Sequence, residues 1–273
     1  MIRPVKPSLT LLKIGGNVID RPETLTGVLG AFAGLQTRKV LVHGGGKSAG
    51  RMMLRLGIQP KMIDGRRITD RATLDVVTMV YAGLINKNIV AGLQRFACNA
   101  IGLSGADANV VPAVKRPVKE TDYGYVGDLT PENIGADTLE RLLELGLTPV
   151  LSPITHDGRG TLLNTNADTV ASAVAIALCR HYEIQLLFCF EKNGVLRDPS
   201  DDASAIALID EALFSRYKAD GTVSAGMIPK LDNAFDALRN GVAEVRICSP
   251  AGLTTSGGTC IRLKHDSPSV QHP

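Results

Sequence analysis

The chain has little aromatic surface. Tryptophan is absent from its 273 residues, and there are only six phenylalanines and five tyrosines. Proteins that bind single-stranded nucleic acid stack the bases on aromatic side chains. The net charge is only +3, and residues of both signs are interspersed. Nucleic acid is therefore not expected as a partner.

Thiol pairs and metal-binding motifs are also missing. The five cysteines include no C-x-x-C pair, and the five histidines show none of the spacings that are typical of a zinc site. This pattern predicts free thiols in a reducing compartment. We expect no metal ion held by protein ligands alone.

Long apolar runs and a signal-peptide pattern are not apparent either. No stretch is predicted to be long enough to cross a bilayer, and no charged segment followed by a hydrophobic one opens the chain. We therefore expect a cytoplasmic protein with no membrane partner. A chain of this length suits one large α/β unit or two lobes.

What the sequence does contain is an alternation of apolar runs and amphipathic stretches. This alternation predicts a mainly parallel sheet with helices on both faces. A long apolar helix is predicted over residues 72–97, where it would also pack against a partner subunit. A strand is predicted over residues 148–154 and a hairpin over residues 123–129.

A strand that runs into three glycines, Gly44 to Gly46, is the most distinctive motif. A helical pattern follows at once, so backbone N–H groups can approach an anion, and a phosphate is the expected ligand. The motif is not a Walker loop, because Leu41 occupies the place of its first glycine. A glycine turn that serves only tight packing is the alternative without a ligand.

A dinucleotide-binding interpretation also stays open. Gly44, Gly46 and Ala49 fit the pattern G-x-G-x-x-A, and Asp64 follows Gly44 by twenty residues. Asp64 lies in a sequence typical of a hairpin turn, however, whereas a ribose-binding acid ends a buried strand. A nicotinamide-dependent oxidoreductase is therefore the alternative from another enzyme class.

Charged and polar residues at three strand or helix ends indicate an anion site. Lys13 lies one residue from the end of a buried strand, where a cation is costly unless it meets an anion. A predicted helix is preceded by three polar residues, Asn164, Asn166 and Asp168, whereas one such residue is enough for an N-cap. Lys230 lies where a helix opens, which is unfavourable for a cation unless an anion offsets the dipole. A snorkelling lysine and simple caps are the structural alternatives.

Taken together, these motifs resemble the N-acetylglutamate kinases of the amino acid kinase family, in order from about residue 9 to residue 263. The resemblance implies an open αβα sandwich with a mainly parallel central sheet. It also implies a lobe of residues 1–180 that binds the acylated amino acid and forms a homodimer, and a lobe of residues 181–273 that binds ATP. The segments that carry it are 13–16 (KIGG), 43–46 (HGGG), 64–69 (DGRRIT), 164–168 (NTNAD) and 226–230 (GMIPK).

The reaction implied is ATP-dependent phosphorylation of the side-chain carboxylate of N-acetyl-L-glutamate in arginine biosynthesis, with Mg²⁺ bound through the nucleotide. Lys13 and Lys230 resemble the lysines that neutralise the transferring phosphoryl group, and Asp168 resembles the aspartate that holds them. The acceptor-binding residues implied by the resemblance are Gly45, Gly46, Arg67, Asn164 and Asn166. The nucleotide-binding residues implied by it are Gly15, Gly16, Glu191, Lys192, Gly194, Ser224, Gly226 and Met227.

The chain departs from the family pattern at two places. Lys47 follows the glycines where proline is common, and an extra cation suits a second carboxylate, so N-succinylglutamate is an alternative acceptor. Another small amino acid is a further one. Residues 191–193 (EKN) stand where many members have aspartate followed by small or apolar residues, which changes the contacts expected with the nucleotide.

Two further expectations concern regulation. A degenerate kinase that serves as a metabolite sensor is the non-enzyme alternative, and it requires a lost catalytic residue. The first predicted strand begins at Leu9, without the N-terminal helical extension of some relatives. We therefore expect a dimer that arginine does not inhibit.

Overall fold

The computed structural model describes residues 5–63, 65–198, 200–223, 226–255 and 257–263. The strands are β1 (Ser8–Ile14), β2 (Arg38–His43), β3 (Met62–Ile63), β4 (Arg66–Arg67), β5 (Ala100–Leu103), β6 (Val114–Lys115), β7 (Gly127–Asp128), β8 (Thr148–Leu151), β9 (Ile154–His156), β10 (Leu162–Asn164), β11 (Glu183–Cys189), β12 (Leu208–Ile209), β13 (Glu244–Cys248) and β14 (Thr259–Ile261). The α-helices are α1 (Gly16–Ile19), α2 (Pro22–Ala33), α3 (Gly46–Arg55), α4 (Arg71–Thr78), α5 (Asn86–Gln94), α6 (Ala136–Glu144), α7 (Ala167–Leu178), α8 (Glu211–Ala219), α9 (Ile228–Arg239) and α10 (Gly252–Thr255).

Eight strands form one central sheet in the order β12-β14-β13-β11-β1-β2-β8-β5. Neighbouring strands are parallel throughout, except that β13 and β14 are antiparallel. Helices cover both faces, so the predicted αβα sandwich with a mainly parallel sheet is confirmed. The remaining strands form three small two-stranded ribbons, β3–β4, β6–β7 and β9–β10.

The central strand β1 supplies apolar side chains to both faces, because successive residues of a strand point to opposite sides. Leu11 joins one hydrophobic layer, which α7 and α9 cover. Leu12 joins the other, which α2 and α5 cover. Lys13 shares the parity of Leu11, so its side chain lies on the α7 face. The alternation of side chains that buries the leucines of β1 therefore also sets the direction of the Lys13 side chain.

The chain order places a topological switch point beside β1. From β1 the sheet extends through β2 and β8 on one side, and the chain later returns to form β11 on the other. Ligands of open α/β sheets bind outside the carboxyl ends of the strands at such a point. The end of β1 is therefore where a site is expected.

The helix predicted over residues 72–97 is confirmed as one continuous helix, Arg71–Gln94, with a π-helical segment, Met79–Ile85, between α4 and α5. It has 24 residues and a hydropathy of 1.4, which is enough to span a membrane by length and composition alone. The expectation that no stretch reaches this length was therefore wrong. Leu74, Val77 and Ile89 of this helix are buried in the layer that also contains α2.

Two local predictions differ from the structure. The hairpin predicted over residues 123–129 is wrong, because Gly127–Asp128 pairs with the distant Val114–Lys115. The strand predicted over residues 148–154 is split: β8 ends at Leu151, and Ile154 begins β9, which turns to pair with β10. Both errors concern pairing with a partner strand, which local sequence patterns do not specify.

Candidate active site

The site lies where β1, β2 and β11 end and two glycine turns meet. The Gly15 N–H donates to the carbonyl of Cys189 at 3.1 Å, which ties the end of β1 to β11. The Gly44 N–H donates to the carbonyl of Ile14 at 3.0 Å, which ties the triple-glycine turn to β1. Three strand ends and their turns are thus fixed relative to one another before any ligand arrives.

Lys13 and Lys230 converge on the carboxylate of Asp168. Lys13 Nζ lies 2.6 Å from Asp168 Oδ1, and Lys230 Nζ donates a hydrogen bond to Oδ2 at 2.7 Å. Each oxygen of the Asp168 carboxylate thus faces one ammonium group. The side chains of Lys13 and Asp168 are 6% and 9% exposed, whereas that of Lys230 is 23% exposed. Two ammonium groups and one carboxylate leave a net positive charge at the carboxyl ends of the central strands.

The charge state of this cluster follows from its surroundings. Burial by itself raises the pKa of Asp168, but the ammonium groups of Lys13 and Lys230 outweigh it and bring the pKa to about 2. Burial lowers the pKa of Lys13 from its ordinary 10.5; the carboxylate of Asp168 opposes this shift, and the charge of Lys230 adds to it. Asp168 is therefore ionised throughout the physiological range of pH.

An aromatic ring that the sequence analysis did not single out completes the cluster. Lys13 Nζ lies 4.7 Å and Lys230 Nζ 4.4 Å from the centroid of the Phe190 ring. Phe190 directly follows β11. A Cβ atom on Gly15 would lie 3.0 Å from Phe190 Cδ1, so the glycine leaves room for the ring.

The triple-glycine turn packs against the π-helical segment. A Cβ atom on Gly45 would lie 2.4 Å from Ile85 Cδ1 and 2.9 Å from Tyr81 Cδ1, so only glycine fits there. Gly46 begins α3, whose first N–H groups have no intrahelical partner and receive no side-chain cap from Gly45. The turn therefore combines free backbone donors with a wall made by a neighbouring helix.

Arg67 and Asn164, predicted from distant motifs, meet through one threonine. Asn164 Nδ2 donates to Thr69 Oγ1 at 3.0 Å, and Thr69 Oγ1 donates to the carbonyl of Arg67 at 3.1 Å. Arg67 Nη2 donates to the carbonyl of Gly46 at 2.9 Å, which brings the guanidinium to the glycine turn. A guanidinium and an amide beside a glycine turn are suited to a carboxylate and a neighbouring amide group.

Asn166 has a structural part in the fold. Its Oδ1 accepts the N–H groups of Asp168 at 2.8 Å and Thr169 at 3.2 Å, and so caps α7. This cap fixes the backbone of Asp168. The structure thus supports the simple alternative for Asn166, and the carboxylate it positions belongs to the lysine cluster.

A cavity of about 140 Å³ lies beyond the lysine cluster, beneath the loop that follows β11. Its apolar lining suits the flat face of a base, and it is small beside the roughly 300–1,000 Å³ of a site for a whole drug-sized ligand. Of the predicted nucleotide-binding residues, Lys192, Gly194 and Met227 line it. The other lining residues are Val195, Leu196, Thr222 and Val223.

The other predicted nucleotide-binding residues lie elsewhere. Gly15 follows β1 and Gly16 begins α1, and neither lines this cavity. Glu191 is exposed and hydrogen-bonded to Asn17, and Gly226 is exposed next to Met227. Ser224 lies outside the described residues.

Two other interpretations were tested against the structure. Ile63 and Arg66, which flank position 64, pair in an exposed antiparallel hairpin and do not end a buried strand. This pairing removes the basis of the dinucleotide-binding alternative. Asp64 itself lies outside the described residues.

Asp137, Glu140 and His181 lie close enough together to hold a metal ion. Arg180 donates to both Asp137 and His181, so a cation already occupies this surface network.

Comparisons with known proteins identify the relatives of this chain. A profile of the amino acid kinase family matches residues 8–249. The acetylglutamate kinase of Bacteroides fragilis is 52% identical over 262 residues, which are 96% of this chain and the whole of that protein. The acetylglutamate kinase of Cytophaga hutchinsonii is 54% identical over 90% of this chain and 92% of its own length. Carbamate kinase from Giardia lamblia, solved with AMP-PNP, superposes with a TM-score of 0.70 at 13% identity, over 96% of this chain and 99% of its own, and shares the fold.

Proposed function

We propose that this chain, which belongs to the amino acid kinase family, transfers the γ-phosphoryl group of ATP to the side-chain carboxylate of N-acetyl-L-glutamate. The observation that carries the proposal is the pair of ammonium groups that share the Asp168 carboxylate at the switch point of the sheet. The products are an acyl phosphate and ADP. This reaction is the one named for the curated relatives, and it belongs to arginine biosynthesis.

The chemistry needs no general base, because a carboxylate is already ionised at neutral pH. An oxygen of the acceptor carboxylate forms a bond to the γ-phosphorus while the bond from that phosphorus to the β,γ-bridging oxygen breaks, and ADP carries the electron pair away. Negative charge is spread over the phosphoryl oxygens in the transition state, so catalysis rests on positioning and charge neutralisation. Lys13 and Lys230 supply the positive charge, and Asp168 holds both lysines in place.

The acceptor end of the site is assigned to Arg67 and Asn164, with Thr69 between them. The guanidinium suits the α-carboxylate of the acylated amino acid, and the side-chain amide suits its amide group. The free N–H groups at Gly45 and Gly46 would face the reacting carboxylate. The lobe of residues 1–180 thus binds the acceptor in this proposal.

The nucleotide end is assigned to residues 181–273, with the base in the cavity lined by Val195, Val223 and Met227. The solved relative from Giardia lamblia contains an ATP analogue, which supports a nucleotide in this fold. Both oxygens of Asp168 face lysines, so the buried carboxylate is not free to bind a metal ion. The residues therefore fit Mg²⁺ carried in by the phosphates, where it neutralises their charge.

We also propose a homodimer formed through the long helix. Met79 and Leu84, 57% and 52% exposed, lie five residues apart in the π-helical segment, the span of one π turn. Exposed apolar side chains on this partly buried helix favour a protein interface. The same segment contacts the glycine turn, so the interface would lie directly behind the acceptor site.

A substrate panel with MgATP tests the function. ADP release is measured with N-acetyl-, N-succinyl- and unmodified glutamate and with aspartate. We expect N-acetylglutamate to give the highest kcat/KM and to yield a hydroxylamine-trappable acyl phosphate. Lys230→Ala is the control and should lose about 10²–10³-fold in kcat, as for removal of one charge-stabilising donor. No ADP release with any acylated amino acid would overturn the proposal.

The succinylated acceptor is the alternative that one observation favours. Lys47 is exposed at the start of α3, directly after the glycine turn. An ammonium group there suits the second carboxylate of a succinyl group. If it does so, Lys47→Ala will lower turnover of N-succinylglutamate selectively; equal effects on both acylated substrates remove this alternative.

A further inference from the structure

Two like charges lie over one aromatic ring in the candidate site. The ammonium groups of Lys13 and Lys230 are 4.7 and 4.4 Å from the centroid of the Phe190 ring, within the roughly 6 Å reach of a cation–π contact. Both also contact Asp168. Phe190 and Asp168 are therefore joint partners of both lysines.

The two ammonium groups repel each other, and one carboxylate only partly offsets this repulsion. The Lys13 side chain is only 6% exposed, so water provides little screening between it and Lys230. A second carboxylate would balance the charge, but it would also repel the acceptor carboxylate and the phosphoryl oxygens. The negative face of an aromatic ring attracts cations without adding a net charge. An aromatic ring thus stabilises the lysine pair and leaves the site positive.

We propose that Phe190 is a positioning residue whose aromatic face orients the Lys13 and Lys230 ammonium groups for phosphoryl transfer. The inference rests on the proposed kinase function for its catalytic meaning. It goes beyond that function because it assigns a part to a residue outside the charged cluster.

The ring is held firmly enough for this task. The Phe190 N–H donates to the carbonyl of Cys248 at 2.9 Å, which continues the pairing of β11 with β13 past the end of the strand. Its side chain packs against the hydrophobic layer on the α7 face. Gly15 lies against the edge of the ring, where any larger residue would displace it.

Fluorinated phenylalanines at position 190 test the proposal, because successive fluorines weaken the ring quadrupole and change the shape little. We expect log kcat to fall steadily from phenylalanine to the 3,4,5-trifluoro analogue, by roughly tenfold in total. KM for ATP should change less than kcat, since both lysines remain present. The same series at Phe188 is the matched control: that ring is buried in β11, and no cation lies over it among the described residues.

A second readout does not depend on turnover. The pKa of Lys13 is followed by ¹³C NMR of labelled lysine in the ligand-free protein. Loss of the aromatic attraction disfavours the charged form, so this pKa should fall as fluorines are added at position 190 and stay constant in the Phe188 series. Fluorination that changes neither kcat nor the pKa of Lys13 would overturn the proposal. An inactive wild-type protein in which the pKa of Lys13 still follows the series would instead contradict the kinase function and leave the cation–π contact standing.

Discussion

Asp168 is the residue on which the others in the site depend. It lies in the first turn of α7, where the helix dipole favours a negative charge, and Asn166 caps the same turn. Its carboxylate is the described anion that both lysines contact. Removing one partner of a buried charge pair leaves an uncompensated charge, which is costly. Lys13 is therefore the group most sensitive to a change at position 168.

The pH dependence of kcat/KM provides a direct test of this coupling. The pKa of Lys13 lies below 10.5 because burial disfavours its charged form, so the alkaline limb should begin below the ordinary lysine value. Asp168 opposes that shift, and Asp168→Asn removes the opposition. The limb should then move to still lower pH, together with a fall in kcat.

The control for that measurement is Asp137→Asn, which removes an exposed carboxylate paired with Arg180 far from the site. Its alkaline limb should match that of the wild type. An Asp168→Asn profile with the limb in the wild-type position would show that Lys13 does not depend on Asp168.

The π-helical segment is the element that shapes the proposed acceptor end of the site. Seven residues, Met79–Ile85, widen the long helix and place Tyr81 and Ile85 against Gly45. Burial raises the pKa of Tyr81, and the smaller opposing effect of Arg67 does not cancel this shift. The hydroxyl therefore stays protonated. The helix thus presents a neutral wall to the glycine turn.

Gly45→Ala should disrupt this contact. The new methyl group would lie 2.4 Å from Ile85 Cδ1, and overpacking of this kind costs about 1–3 kcal/mol in the free energy of unfolding. The displaced turn should also raise KM for the acylated amino acid. Chemical denaturation and steady-state kinetics measure the two effects.

Gly27→Ala in α2 is the matched control, since a Cβ atom there meets no atom within 4 Å. It should leave kinetics unchanged and stability equal or slightly higher, because alanine favours a helix over glycine. A double-mutant cycle of Gly45→Ala with Ile85→Ala should show a favourable coupling energy. Additive effects would mean that the helix does not confine the turn.

Sequence patterns predicted the site residues whose type is unusual for their position in a strand or helix. They missed the residues whose part depends on a contact with a distant segment of the chain. Lys13 was predictable because a cation near the end of a buried strand needs an anion, and the strand parity then fixed its face. Phe190 was not, because an aromatic residue after an apolar strand resembles any core residue. Thr69, which joins Arg67 to Asn164, lies in the segment 64–69, but no sequence pattern indicated this hydrogen-bonding part.

At the scale of the whole molecule, one sheet supports both halves of the proposed reaction. β1 pairs with β2 on one side and with β11 on the other, so the two proposed lobes share a continuous hydrogen-bonded sheet. Lys13 comes from the central strand, whereas Lys230 comes from α9 in residues 181–273. Any motion of α9 relative to β1 would therefore change the separation of the two ammonium groups.

The homodimer is tested on the same scale. Met79→Glu combined with Leu84→Glu places two charges on the proposed interface, and we expect sedimentation velocity to show a monomer in place of a dimer. Leu145→Glu changes a side chain that is 74% exposed on another part of the surface, and should leave the dimer intact. A double variant that remains dimeric would place the interface elsewhere.

The most direct test of the account is a crystal structure of the protein with MgADP, tetrafluoroaluminate and N-acetyl-L-glutamate. The fluoroaluminate ion mimics the phosphoryl group in transfer. We predict that Lys13 Nζ and Lys230 Nζ both lie about 3 Å from its fluorine atoms, with Asp168 still in contact with both lysines. A complex in which either ammonium group faces away from the ion would contradict the central claim.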